Sequence, residues 1–121
     1  MSFDPVERTE AFLAAIDAMD FDAVEAFFAE DATFGSQAVG GLSGRDTIMA
    51  AFRRYFEDYP DQTCLNSTVE AVTPTSARAV WSIRATHSKT GAPLVREGEE
   101  TVTFDPDDRV VSVVVTDYQA F

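Results

Sequence analysis

Phe12-Leu13-Ala14-Ala15-Ile16-Asp17-Ala18-Met19-Asp20-Phe21-Asp22-Ala23-Val24-Glu25-Ala26-Phe27-Phe28-Ala29-Glu30-Asp31-Ala32-Thr33-Phe34 is the stretch from which the fold is read. Phe12, Ile16 and Met19, with Leu13 and Ala15 beside them, recur at the three-to-four-residue spacing of an amphipathic helix. Asp20-Phe21-Asp22 interrupts that pattern and restarts it, so Val24, Phe27 and Phe28 belong to a second, shorter helix. Ala32-Thr33-Phe34 then reads as a brief strand. Upstream, Asp4-Pro5-Val6-Glu7 is a helix start, with Asp as N-cap, Pro at the first helical position and Glu three residues on, placed to reach back.

Downstream, Gly35 to Gly44 is glycine-rich but contains neither GxGxxG nor GxxxxGK[ST], so the rim of a pocket is expected there and not a phosphate cradle. Ser43-Gly44-Arg45-Asp46 reads as another cap, opening a third helix that carries Ile48, Phe52, Tyr55, Phe56 and Tyr59 and stops at Pro60. The rest alternates as strands: Thr63 to Val72, Ala77 to His87, Leu94 to Phe104 and Arg109 to Tyr118. The breaks Thr73-Pro74-Thr75, Ser88-Lys89-Thr90-Gly91 and Asp105-Pro106-Asp107-Asp108 are turn chemistry, and such short connections imply antiparallel neighbours. Three helices followed by a meander predict an α+β domain with the helices on one face of a curved, mainly antiparallel sheet.

The 121 residues make one domain, 1–121, with a 45% hydrophobic composition that includes ten Phe, three Tyr and one Trp. Twenty-one Asp and Glu against nine Lys and Arg leave a net charge of −12. That balance argues against nucleic acid and against an anionic membrane surface as partners. No apolar run approaches the roughly 18 residues of a membrane span. Lys89 is the sole lysine; an acidic, lysine-poor surface over an aromatic core suits high salt, and a salt-adapted source is expected. Met1-Ser2-Phe3-Asp4-Pro5 lacks the basic and apolar regions of a signal peptide, so a cytoplasmic location is expected. With one cysteine, Cys64, and one histidine, His87, neither an internal disulfide nor a zinc-type cluster is expected, and no metal or cofactor is implied.

The stretch Phe12 to Phe34 resembles the opening of the NTF2-like superfamily, in which a helix ends in a "GD" or "MD" break, a second helix follows, and then "ff-a-x-D-A-x-f". Gly44-Arg45-Asp46-Thr47-Ile48 is similar to the family's "G-x-x-x-I" element, and Asp107-Asp108-Arg109-Val110-Val111-Ser112-Val113 to its last hairpin. The SnoaL-like and ketosteroid isomerase-like branch is the nearest. The resemblance implies a cystatin-like cone: a bent sheet wrapped on three helices around an apolar cavity, dimerising through the sheet. It also implies what is missing. The isomerase's tyrosine position corresponds to Phe12, its base to Ser36, and its protonated acid to Glu100. With two of three groups absent, true ketosteroid isomerase activity is not expected. The acid–Arg–acid set of the limonene epoxide hydrolase branch is incomplete too, since its Arg position falls on Gly98 or Val102 and Arg96 lies a step further away.

Alternation selects what faces the cavity. Leu94, Arg96, Gly98, Glu100, Val102 and Phe104 share one face of their strand, with Gly98 a candidate bulge that would break the pattern toward Arg96. Val111, Val113, Val115 and Asp117 share a face of the last strand that the resemblance implies is turned inward, leaving Val110 and Val114 outward with Val80 for a sheet-to-sheet contact. Trp81, Ile83, Ala85 and His87 share a face of the second long strand. The resemblance, taken with these facings, implies a catalytic set of Glu100 as a neutral hydrogen-bond donor with Asp117 or His87 as base. Phe12, Phe34, Phe52, Phe56, Trp81, Val102, Phe104, Val113 and Val115 are the expected ligand-binding wall. The function expected is the binding of a small apolar or polycyclic molecule, with proton transfer beside a carbonyl, either isomerisation or aldol-type cyclisation. A non-catalytic binding or dimerisation module is the alternative.

Overall fold

Asp4 accepts hydrogen bonds from the Val6 and Glu7 amides, at 3.0 and 3.3 Å, and so starts helix α1, Pro5–Asp17, with Pro5 at its first position. The computed structural model describes residues 3–36 and 40–118, apart from the side chains of 66 and 67. Asp20 caps α2, Phe21–Phe27, through the Ala23 amide. The chain then extends at Phe28, where the aromatic pattern had placed continued helix, and enters strand β1, Phe28–Ser36. The reason is tertiary: Phe28 is fully buried and pairs with Val110 of the last strand, a partner 82 residues away.

The glycine-rich segment is partly strand. Gly40–Ser43 forms β2 and pairs antiparallel with β1 from Thr33↔Ser43 to Ser36↔Gly40, and residues 37–39 lie outside the described residues. Gly44, at φ +94°, holds the N-cap position of α3, Arg45–Asp58, and no side chain caps it, so the cap read at Ser43 is corrected to a backbone turn. Strands β3 (Thr63–Thr73), β4 (Ser76–Thr86), β5 (Pro93–Phe104) and β6 (Val110–Tyr118) complete one six-stranded sheet of order β2-β1-β6-β5-β4-β3. All neighbours are antiparallel except β1 and β6, which run parallel. Among the described residues no helix is long and apolar enough to cross a membrane.

The three helices cover one face of the sheet. Phe12 and Phe28, both fully buried, meet edge to face with ring centroids 5.3 Å apart, and Val24, Ile48, Val102, Val110 and Val113 close around them. Two sequence readings of strand facing change here. The register of β5 against β6 shifts between Thr103↔Ser112 and Phe104↔Val110, so the irregularity sits at Val111 and Val110 turns into the core, fully buried, where outward exposure was expected. Conversely, no shift occurs at Gly98: the pairs Trp81↔Gly98 and Gly98↔Asp117 are in register, and the alternation runs unbroken through Arg96.

Candidate functional site

Between the helices and the hollow face of the sheet lies a cavity of about 130 Å³. Helix α1 gives it Leu13, Ile16 and Asp17; α3 gives Ala51, Phe52, Tyr55 and Phe56; and Phe34, Ser36 and Leu42 come from the β1–β2 hairpin. The long strands supply Cys64, Trp81, Ile83, Arg96, Glu100 and Val115, and Gln62 stands at the entry to β3. The walls are overwhelmingly apolar, so the few polar groups decide what the cavity can do.

Gly98 makes room for that arrangement. A Cβ there would fall on the Thr116 carbonyl oxygen and within 2.9 Å of the Trp81 ring, so the indole lies flat across the strand where any side chain would lift it. Trp81 is 4% exposed and forms one wall. The Arg96 guanidinium lies over its ring, 5.3 Å from the centroid.

Glu100 projects from the same face of β5. It accepts no hydrogen bond from the described residues, and burial pushes its pKa up to about 7, with Asp17 raising it further and Arg96 opposing. Its side chain is enclosed by protein, yet it keeps some accessible surface because it borders the cavity. Asp17, at the end of α1, is itself raised by partial burial. Burial also pushes the Cys64 thiol up to about 12, which keeps it a protonated, weakly polar part of the wall.

Arg96 is engaged on its far side: its Nη2 donates to Asp117 Oδ1 at 2.8 Å, with both side chains largely buried. Its pKa is raised by Asp117 and Tyr55 although burial works the other way. The Tyr55 hydroxyl donates to Gln62 Oε1 and stands beside the Arg96 guanidinium, and burial raises its pKa.

The residues singled out from the sequence divide accordingly. Glu100, Phe34, Phe52, Phe56, Trp81 and Val115 line the cavity. Phe12, Val102, Phe104 and Val113 lie in the packed core behind it, each at most 3% exposed. Asp117 is not among the lining residues and is joined to the site by its hydrogen bond with Arg96. His87 is elsewhere: its Nδ1 accepts from the Lys89 and Thr90 amides at the β4–β5 turn, its Nε2 is 3.9 Å from Asp58, and its ring packs against Tyr59. Alternation had put Arg96 on the face of Glu100, and only the bulge supposed at Gly98 obscured its place. Gln62 and Asp17 left no such trace, because they enter from a loop and a helix end brought over the sheet by packing.

Residues 9–113 match the SnoaL-like domain. No curated protein matches the sequence. Among solved structures, an NTF2-like protein of unknown function from Exiguobacterium sp. 255-15 superposes with a TM-score of 0.82 at 15% identity, covering 93% of this chain and 99% of that one. Rv0760c from Mycobacterium tuberculosis, solved in complex with estradiol-17beta-hemisuccinate, gives 0.80 at 13% identity over 97% and 94%. The epoxide hydrolase/cyclase-like enzyme SalBIII, of pyran ring formation in the polyether salinomycin, gives 0.81 at 15% over 93% and 89%. At these identities the likeness is one of fold, and it agrees with the helix-and-sheet order described above.

Proposed function

The chain belongs to the SnoaL-like domain family, and we propose that it holds a small apolar molecule bearing a carbonyl and moves a proton at the carbon beside that carbonyl, with Glu100 taking and returning it. One observation carries the reading: a carboxyl without a hydrogen-bond partner among the described residues, set between aromatic and aliphatic walls, with its pKa near 7. A proton-transfer group is most effective when it titrates near the working pH. The scheme calls on no metal or cofactor. It moves the base role from Asp117, which is held by Arg96, and from His87, which is held by its turn, to Glu100.

Size narrows the ligand. An engineered apolar cavity of about 150 Å³ takes up benzene, so the about 130 Å³ here encloses one ring. A polycyclic ligand, as the steroid bound to Rv0760c suggests, projects the rest of its skeleton beyond the cavity.

Trp81 is the sole tryptophan and lines the cavity, so its fluorescence reports binding. The test reaction is conversion of 3-cyclohexen-1-one to its conjugated isomer, followed by ultraviolet absorbance. The wild type is expected to accelerate it, with a rate rising as pH passes through the titration of Glu100, and Glu100→Gln to lose about 100-fold or more. A Glu100→Gln variant as fast as wild type overturns the assignment. Binding with no turnover by the wild type selects the second reading, a ligand-binding module, which the absence of a hydroxyl at Phe12 favours. A homodimer through the outer sheet face is part of the same proposal, supported by Val114 and Tyr118, 54% and 43% exposed there. Light scattering that finds only monomer at high concentration removes it.

A further inference from the structure

Proton abstraction beside a carbonyl leaves negative charge on the carbonyl oxygen, and in an apolar cavity that charge needs a preorganised donor. Glu100 cannot supply it while it also takes the proton, and Phe12 has no hydroxyl to offer. The other polar groups on the wall are unequal to the task. Asp17 is an acid, the Cys64 thiol is a weak donor, and Ser36 and the Gln62 amide offer neutral donors without charge. Arg96 is different: a guanidinium has five N–H donors and stays charged. Its Nη2 is occupied by Asp117 at 2.8 Å, its plane is steadied over Trp81, and it lines the cavity on the same face as Glu100. A side chain fixed from two directions gives up little freedom when it binds an anion.

Resting on the proton-transfer reading, we propose that Arg96, with the Tyr55 hydroxyl beside it, is the oxyanion-holding pair of this cavity, and that Asp117 is a positioning residue that aims Arg96. In the reaction the Glu100 carboxylate takes the proton from the carbon beside the carbonyl. The C–H electron pair becomes the new carbon–carbon π bond, and the carbonyl π pair moves onto oxygen, where Arg96 donates to it and the Tyr55 hydroxyl joins by turning its proton from Gln62. The proton on Glu100 then returns to the carbon two bonds further along the chain, the oxygen pair falls back, and the carbonyl re-forms conjugated to the shifted double bond. No electrons are gained or lost overall, and no co-reactant is needed.

The experiment needs no turnover, so it is independent of whether the ketone reacts. The probe is 4-nitrophenol, a single ring whose phenolate resembles an enolate and whose two forms differ in absorbance. Glu100→Gln imitates the protonated acid left after abstraction, so this variant is expected to bind phenolate at least tenfold more tightly than the phenol. Adding Arg96→Met should abolish that preference while neutral phenol affinity stays within threefold. Arg96→Lys should keep part of it. Tyr55→Phe and Asp117→Asn should each reduce it about threefold to tenfold, with Trp81 fluorescence confirming a folded cavity. Equal binding of the two forms by Glu100→Gln, a preference untouched by Arg96→Met or Arg96→Lys, or no binding of either form overturns the pair. If the preference holds and the ketone is not isomerised, the proton-transfer reading fails while the anion site stands.

Discussion

Glu100 costs the fold stability in a pH-dependent way, and that cost is measurable without any ligand. Its pKa is 4.5 in an ordinary setting and about 7 in the folded chain. Below 4.5 the carboxyl is protonated in both states and the cost is absent. Between the two values the unfolded chain has released the proton and the folded chain has not, so stability falls as pH rises, and above about 7 the full cost is present. At 1.36 kcal/mol for each pH unit that cost is about 3 kcal/mol. Glu100→Gln is therefore expected to be more stable than wild type at pH 8 by up to about that amount. The advantage should shrink steadily toward pH 4.5, as read by paired denaturant melts. A difference that does not change with pH would place Glu100 in water. At the same scale, Phe12→Ala removes a fully buried ring that touches two others and should cost about 3–5 kcal/mol in the same measurement.

Single elements carry information that a residue list does not. Strand β5 places Arg96, Gly98 and Glu100 on one face; the glycine admits Trp81, and Trp81 in turn carries Arg96. Gly98→Ala is expected to destabilise by roughly 1–3 kcal/mol and to shift Trp81 emission, because the added methyl meets backbone on one side and the indole on the other. An unchanged emission spectrum would count against this packing. Elements also show where local reading stops. The start of α1 was legible in Asp4-Pro5 because a cap acts within three residues. The change to strand at Phe28 was not, since helix and strand both bury a phenylalanine and only the distant Val110 chose between them. Val110 itself was misread for a related reason: one irregular residue, Val111, reverses every facing on its N-terminal side.

For the whole molecule the governing quantity is the charge of −12. Surface carboxylates repel one another over roughly 10 Å at 0.1 M salt and about 3 Å at 1 M. The melting temperature is therefore expected to rise between dilute buffer and molar KCl, and equal melting in both would remove the salt-adapted reading. The site draws little on that total, for Glu100, Asp17 and Asp117 are the carboxylates at or behind the cavity and the Arg78 cluster on the outer face holds Glu70 and Glu99 in ion pairs. By itself the sequence determined the three helices and the meander, because caps, turns and alternation are set by neighbours a few residues apart, and its family resemblance made Glu100 a candidate. Tertiary structure alone decided that Asp117 serves Arg96, that His87 serves a turn, and that Asp17, Tyr55 and Gln62 meet Glu100 around one small cavity. Those outcomes depend on register and on helix placement over the sheet, which are fixed by contacts between residues far apart in the chain.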